Sequence, residues 1–255
     1  MINFIICFFI ILLSFNSALT RNIGETEITT DDGIEVFQEE KYYLLKKNVE
    51  ILSDEFNLNG QIVKVYFEKD LYDIKKLIAK NSVNFISELY NIKGSGTNLE
   101  FNFKKEEILV YGNDSKLFLE KTEMSSDGKI LVNNIDGSFY IHGNNSKLIS
   151  DDIFIKGSKI DGEFSIINEK RDIANLVVED DTQLNIKTDD IIMFSKKAIY
   201  DKESSIIELF EDVKINRGNE VITGDYGRLD TKNNSYKVSS NEKTKVKAII
   251  MNSDE

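Results

Sequence analysis

Apolar and polar residues alternate in short runs between residues 200 and 238, and this pattern predicts three β-strands joined by polar turns. Ile206–Leu209 forms the first run, and Val213 and Ile215 continue it in alternation with polar neighbours. The residues 217–219, Arg-Gly-Asn, then predict a turn, because glycine and asparagine tolerate a positive φ. A second apolar run follows this turn, as a hairpin requires.

The same pattern recurs near the start of the chain. When the numbering is shifted by 164, residues 36–70 align with residues 200–234 without a gap. A second match, at a shift of 31, relates YGNDSKL at residues 111–117 to HGNNSKL at residues 142–148. Together the two shifts predict stacked strand pairs with a period of roughly 32 residues, each burying its apolar face against its neighbours.

The remaining chain lacks a long segment with the 3.6-residue period of an amphipathic helix. Residues 70–80, DLYDIKKLIAK, fit either a helix or a turn followed by a strand, and their place in the repeat favours the strand. Clusters of Asn, Asp, Gly and Ser predict hairpin turns at residues 126–128, 135–137, 143–145 and 161–162. We therefore expect an all-β, elongated, twisted antiparallel fold built from repeated strand pairs.

The first 20 residues have the composition of a secretory signal peptide. An unbroken apolar run, Phe4–Leu13, is shorter than the roughly 20 residues of a membrane span, and cleavage is expected near Ala18. An uncleaved membrane anchor is the alternative. The single cysteine, Cys7, lies in this leader, so residues 21–255 are expected to form one elongated domain without a disulfide.

Composition and charge exclude several classes of binding partner and of catalytic or metal site. A formal net charge of −12 argues against nucleic acid as a partner, because phosphate binding needs a basic stripe. One histidine, His142, and no cysteine beyond the leader exclude a His/Cys metal cluster and a Cys–His catalytic pair. We expect no cofactor, no metal and no enzymatic activity, although a carboxylate pair for glycoside hydrolysis stays open because the sequence shows no distances. Paired aspartates without the spacing of calcium loops predict turns, at residues 31–32, 151–152, 180–181 and 189–190.

Short motifs at both ends of the chain point to a family. Asp212-Val-Lys-Ile215 and Asn48-Val-Glu-Ile51 match a recurring GNVxI phrase, and Ile222-Thr-Gly-Asp-Tyr226 matches the I.AD phrase that follows it. Over residues 200–238 and 28–70 the chain thus resembles the OstA-like (LptA) family of lipopolysaccharide transport, while its middle matches only in period. The resemblance implies a twisted, partly open antiparallel β-jellyroll in the periplasm, which carries acyl chains in an apolar groove.

The resemblance also implies two sets of functional residues. Unpaired edge strands, at about residues 27–37 and 244–251, would join neighbouring molecules through Val246, Ala248 and Ile250. Inward-facing residues of the repeat would line the lipid groove, with the core of a closed sandwich as the alternative role. These groove residues are Val49, Ile51, Leu58, Ile62, Val213, Ile215, Ile222 and Tyr226.

The implied partners are lipopolysaccharide, an inner-membrane LptC-like protein, an outer-membrane LptD-like protein and further copies of this chain joined end to end. Two alternatives remain. One is a secreted structural or adhesive β-solenoid without a ligand, and the other is a membrane-tethered LptC-like component.

Overall fold

A computed structural model describes residues 23–69, 73–151, 153–167, 170–241 and 244–251. The predicted leader lies outside the described residues. The described residues form strands and turns and no helix, so the predicted all-β class is confirmed. The strands are β1 Glu27–Thr29, β2 Ile34–Phe37, β3 Tyr42–Leu52, β4 Asn57–Phe67, β5 Ile74–Ser87, β6 Ile92–Asn102, β7 Glu107–Tyr111, β8 Ser115–Leu119, β9 Thr122–Ser126, β10 Lys129–Asn133, β11 Ser138–Ser150, β12 Ile153–Ile167, β13 Lys170–Lys187, β14 Ile191–Asp201, β15 Ile206–Arg217, β16 Glu220–Asp230, β17 Ser235–Ser239 and β18 Lys247–Ile250.

The sheet is one long antiparallel meander. From β3 to β16, consecutive long strands pair along both of their halves. In four places, two short strands together take the position of one long strand. They are β7 with β8 and β9 with β10 in the middle of the sheet, β1 with β2 beside β3, and β17 with β18 beside β16. The predicted strand within residues 70–80 is confirmed from Ile74 onward. This pairing is that of successive hairpins rather than of solenoid coils.

Long strands bend near their middle, and the ladder shifts register at each bend. In β3, β5 and β15 the bend consists of two successive residues with positive φ, Lys47-Asn48, Asn81-Ser82 and Glu211-Asp212. The neighbouring β16 bends at Gly224, where an added Cβ would lie 2.6 Å from the Val238 side chain. These bends, which we term corners, fold the sheet over on itself into two facing layers.

The first layer contains strand halves such as residues 206–210, and the second layer contains halves beyond the corner such as residues 213–217. Hairpin turns of both layers lie along the side opposite the corners, which we term the mouth. Side chains of the two layers meet in the interior, as where Phe85 of the second layer packs on Phe101 of the first with centroids 5.2 Å apart. The folded sheet therefore encloses an apolar interior that is continuous along its length.

Both sequence repeats correspond to recurring corners. Val49 directly follows the corner of β3, Val213 directly follows that of β15, and each is 1% exposed. In the shorter repeat, buried Ser115 donates its hydroxyl to the Gly112 carbonyl at 2.7 Å, and buried Ser146 donates to the Gly143 carbonyl at 3.0 Å. The two serines lock equivalent corners two strands apart.

Three of the four predicted hairpin turns need correction. Residues 135–137 join β10 to β11 as predicted, but residues 126–128 and 143–145 are corners. A corner needs the same turn-forming residues as a hairpin, yet the chain continues into the other layer instead of reversing. Residues 161–162 lie inside β12, where Gly162 gives room to its neighbours: an added Cβ would lie 2.7 Å from the Phe139 ring.

Candidate functional site

A cavity of about 480 Å³, which we term the mouth cavity, opens between the layers in the C-terminal half of the sheet. Volumes of roughly 300 to 1,000 Å³ are typical of ligand pockets. Turns of both layers form its rim, and its floor consists of buried apolar residues. The floor residues are Ile173, Leu176, Ile191, Ile207 and Leu229.

Strand alternation builds this floor. Leu176, Tyr200, Ile207 and Leu229 are successive cross-strand partners on β13, β14, β15 and β16. Residues paired across a ladder point to the same face, so the four side chains form one inward row of the first layer. Burial raises the pKa of the Tyr200 phenol above its ordinary value.

Polar contacts tie the two layers together on each side of the mouth cavity. On one side, Arg171 of β13 donates to Glu120 in the second layer, with Nη1 and Oε1 3.1 Å apart. On the other side, the Tyr236 hydroxyl of the first layer donates to Glu220 Oε2 of the second at 2.6 Å. Burial and this hydrogen bond raise the pKa of Tyr236 to about 12. The cavity is thus a lateral opening between two fastened stretches of the mouth.

Aromatic side chains bridge the layers at the mouth in the N-terminal half. Phe56, in the turn after β3, packs on Phe103 of the first layer with centroids 5.3 Å apart. Tyr90 packs edge-on against Phe101 at 5.4 Å. These ring contacts join the two layers. Three of these rings line a second cavity of about 300 Å³, whose rim includes Asp54, Glu55 and Asp73.

The rim of the mouth cavity is acidic. Asp151 forms an ion pair with Lys121 at 3.2 Å, and Asp172 forms one with Lys202. Asp189 and Asp190 line the same rim, are exposed, and have no ion pair with a described residue. Any ligand at this opening therefore meets an apolar floor below two carboxylates that form no ion pair with a described residue.

Six of the eight residues predicted for the groove point into the interior. Val49, Ile51, Leu58, Val213 and Ile215 are at most 1% exposed. Ile222 is half-buried and lies opposite Ile215 in the ladder, on the same inner face near the sheet edge. Their proposed contact with lipid stays a prediction.

Two predicted groove residues, Ile62 and Tyr226, need correction because they face outward. Ile62 pairs with Lys46 and Lys80 on the outer face of the first layer. Tyr226 donates its hydroxyl to Glu208 on the same outer face, and this bond together with burial raises the pKa of the phenol. Both residues follow a corner, where the register shift reverses the alternation.

The predicted joint residues lie on the exposed C-terminal edge. In β18, Ala248 pairs with Ile222 and Ile250 pairs with Glu220, so both follow the inner row of the second layer. Ile250 is 71% exposed and Val246 is 43% exposed. At the opposite edge, β1 and β2 lie beside β3, and no further strand of the described residues covers either edge. Their role in joining molecules stays a prediction.

The floor of the mouth cavity was not predicted from the sequence. Ile207 and Leu229 lie in the runs recognised as strands, and their period-two spacing marks them as inward residues. The rim could not be read in the same way, because it combines turns from residues 150, 189 and 234 that approach only in the folded sheet.

Two further observations bear on the site. Among the residues that the structure describes, no three His, Cys, Asp or Glu side chains converge so as to hold a metal ion. The same residues include no apolar helix of membrane-spanning length.

Comparison with known proteins gives a similarity at the level of structure. No family model matches the chain. No curated protein matches it either. A solved structure of LptH from Pseudomonas aeruginosa, described as the LptA-homologous periplasmic component of the conserved lipopolysaccharide transport device, is similar to this chain with 7% sequence identity and a TM-score of 0.24, over 89% of this chain and 96% of that chain.

Proposed function

We propose that this chain is a periplasmic, non-enzymatic lipid carrier, which holds acyl chains of lipopolysaccharide between its two layers. One observation carries the proposal: a continuous apolar interior opens laterally at the mouth cavity, between the Arg171 tie and the Tyr236 tie. A buried core without access to solvent would serve stability alone. A fastened cleft that opens over an apolar floor offers an entry for a chain-like ligand.

The hydrophobic effect supplies the affinity that such a carrier needs. Burial of one methylene contributes roughly 0.8 kcal/mol, so an acyl chain that inserts a few methylenes over Leu176, Ile207 and Leu229 is held without covalent chemistry. Phosphate-bearing head groups would stay outside, since Asp189 and Asp190 occupy the rim. Separation of the layers along the mouth would extend the cavity toward the interior residues Val213 and Ile215.

The two open edges fit a bridging role. Edge strands of soluble proteins are normally protected, whereas β18 presents apolar side chains on both faces. Glu27 and Glu35 lie on the N-terminal edge, where Glu35 is paired with Lys46, and Lys237 and Lys247 lie on the C-terminal edge. Opposite charges favour head-to-tail pairing of one copy with the next, or with LptC-like and LptD-like proteins, by strand addition.

Site-specific photo-crosslinking tests the lipid proposal. A photoreactive residue at Tyr200 or Ile153, both half-buried at the mouth cavity, is expected to crosslink to lipopolysaccharide added to the purified protein. The matched control is Ile199, the chain neighbour of Tyr200, which is half-buried on the outer face of the first layer. Crosslinking at Val213 and Ile215 but not at Lys214 would extend the contact into the interior.

The same experiment separates carriage from a structural role. Crosslinks at Ile199 alone, or at no position while the protein stays folded by circular dichroism, would contradict carriage and leave a ligand-free structural protein. Because Tyr200 and Ile199 are consecutive residues of β14 that face opposite sides of the first layer, a difference between them cannot come from overall proximity to lipid.

A further inference from the structure

The outer face of the second layer carries two parallel rows of side chains across four neighbouring strands, β8, β9, β11 and β12. The row nearer the corners is basic and the row nearer the mouth is largely apolar. Cross-strand pairing gives the basic row as Lys116, Ser125, Lys147 and Lys156, and the apolar row as Phe118, Glu123, Ile149 and Phe154.

We define the outer patch as Lys116, Phe118, Lys147, Ile149, Phe154 and Lys156. Phe118 is 38% exposed and Ile149 is 39% exposed, which is high for large apolar residues of a sheet. The three lysines are exposed, and none forms an ion pair with a described residue. Two more exposed lysines flank the apolar row, since Lys93 pairs with Phe118 and Lys187 pairs with Phe154.

The outer face of the first layer differs in its composition. Some of its lysines meet acidic partners: Lys76 lies 2.7 Å from Glu100, and Lys197 lies 2.9 Å from Glu179. Its other exposed lysines, which are Lys80, Lys129 and Lys159, pair with half-buried neighbours in the ladder, namely Ile62, Tyr111 and His142. In the outer patch the only carboxylate of the two rows is Glu123. What distinguishes the outer patch is therefore the combination of three exposed lysines that form no ion pair with a described residue and two large apolar side chains that are more than a third exposed.

We propose that the outer patch docks the protein onto a membrane surface that contains anionic lipids. Lysines near such a surface contribute roughly 1 kcal/mol each through attraction to the head groups. Apolar side chains beside them can enter the boundary between head groups and acyl chains, as in peripheral membrane proteins. A sheet twists by about 20° per strand, so a planar surface contacts only a few strands, and the outer patch has this width.

Docking through the outer patch would place the mouth cavity beside the bilayer. Ile149 and Phe154 face outward, whereas their chain neighbours Ser150 and Ile153 line the cavity. The apolar row is also nearer the mouth than the basic row. The docking goes beyond the proposed lipid carriage and does not require it, since the patch and the cavity lie on opposite faces of the same strands.

Vesicle co-sedimentation of the purified protein tests the docking. We expect binding to vesicles of phosphatidylglycerol and phosphatidylethanolamine, and at least tenfold weaker binding to vesicles of phosphatidylcholine alone. The triple variant Lys116→Glu/Lys147→Glu/Lys156→Glu should lose at least tenfold in affinity for the anionic vesicles. The matched control is Lys80→Glu/Lys129→Glu/Lys159→Glu, which changes the net charge equally in one outer row of the first layer.

Apolar insertion is tested separately with Phe118→Ser/Ile149→Ser, which should weaken binding also at high salt, where the lysines are screened. Equal losses in the two lysine variants would mean attraction by net charge, and would overturn the outer patch as a docking surface. Equal binding to both vesicle types would also overturn it, and so would binding to a polyanion such as heparin without binding to vesicles. Circular dichroism of each variant checks that the sheet is retained.

Discussion

Arg171 and Glu120 lie 51 positions apart in the chain and meet across the mouth, with 3.1 Å between Nη1 and Oε1. Their side chains are 12% and 22% exposed, so the ion pair is largely sheltered from water. Arg171 also donates to the side chain of Asn134. Because Arg171 belongs to the first layer and Glu120 to the second, the pair holds the layers together at one end of the mouth cavity.

Loss of this ion pair should loosen the mouth. We expect Arg171→Ala to lower the free energy of unfolding by about 1 to 3 kcal/mol, the range for hydrogen bonds to charged groups, and to speed lipid uptake. Urea unfolding and the rate of uptake of a fluorescent lipopolysaccharide measure the two effects. The control is Lys76→Ala, which removes an ion pair with Glu100 within one layer. Slower uptake in Arg171→Ala would contradict the assignment of Arg171 as a tie.

The hydrogen bond between Tyr236 and Glu220 should make stability fall at high pH. Burial and this bond raise the pKa of Tyr236 to about 12 from an ordinary 10.0. Below pH 10 both the folded and the unfolded chain keep the phenolic proton, and the contribution of the group is complete. Between about pH 10 and about pH 12 only the unfolded chain releases the proton, so the free energy of unfolding declines.

Urea unfolding from neutral pH to about pH 12 checks this prediction. Tyr236→Phe should flatten the alkaline decline, because the group that binds a proton more tightly in the folded state is gone. Tyr66→Phe, which alters a ring whose centroid lies 5.5 Å from that of Tyr42 on the outer face, is the control for loss of a phenol. An unchanged decline in Tyr236→Phe would mean that other groups cause it.

The carboxylates of Asp189 and Asp190 should limit the affinity for phosphate-bearing lipids. Both line the rim of the mouth cavity. Charges at physiological salt interact over a Debye length of roughly 8 to 10 Å, so the two carboxylates repel a phosphate that approaches the rim this closely. The variant Asp189→Asn/Asp190→Asn is expected to bind lipopolysaccharide several-fold more tightly, and the gain should shrink as salt is raised. Glu39→Gln/Glu40→Gln makes the same change in net charge in a distant turn, so an equal gain there would point to overall repulsion instead.

The corner of β5 offers a test of the folded sheet. Ser82 has a φ of 56° and is exposed, so its replacement changes backbone strain rather than packing. Ser82→Val should destabilise the protein by about 1 to 2 kcal/mol, because a β-branched residue disfavours positive φ. Ser82→Gly should leave stability equal or higher, since glycine adopts this conformation freely. Equal effects of the two substitutions in urea unfolding would contradict a strained corner.

The strands could be predicted from the sequence because β-branched residues alternate with polar ones between turn-forming residues. Val49 and Val213 hold equivalent places because each begins the second half of a bent strand. The same rule fails one step beyond a corner. Gly60 faces inward, but the ladder shifts before Ile62, so counting by twos sets Ile62 on the wrong face.

The corners could not be predicted from the sequence for a different reason. Lys47 and Glu211 adopt positive φ although neither is a residue that favours it, and tertiary packing imposes this conformation. Where the corner does contain Gly and Asn, as at residues 143–145, the sequence signal equals that of a hairpin. The mouth cavity is lined by turns that come together only when the sheet folds over. The alternation of apolar and polar residues along the chain does not show which turns approach each other.

The C-terminal edge should control end-to-end association. Ala248 and Ile250 follow the inner row of the second layer in β18, and the edge beyond them is open among the described residues. If a second copy adds its N-terminal strands there, apolar contacts would continue from one interior to the next. We expect sedimentation velocity to show assemblies that grow with protein concentration.

The variant Ala248→Lys/Ile250→Lys should weaken this association at least tenfold, because an added strand would bring two charges into a continuous apolar interior. Lipid uptake at the mouth cavity should persist, since β18 contributes none of the residues that line it. Ile135→Lys, which adds a charge at a residue 63% exposed in the turn before β11, is the control. Assemblies that survive in Ala248→Lys/Ile250→Lys, or after deletion of the residues beyond Ser240, would rule out β18 as the joint. Their loss together with retained uptake would mean that one molecule holds lipid by itself and that the edge serves only its transfer to the next.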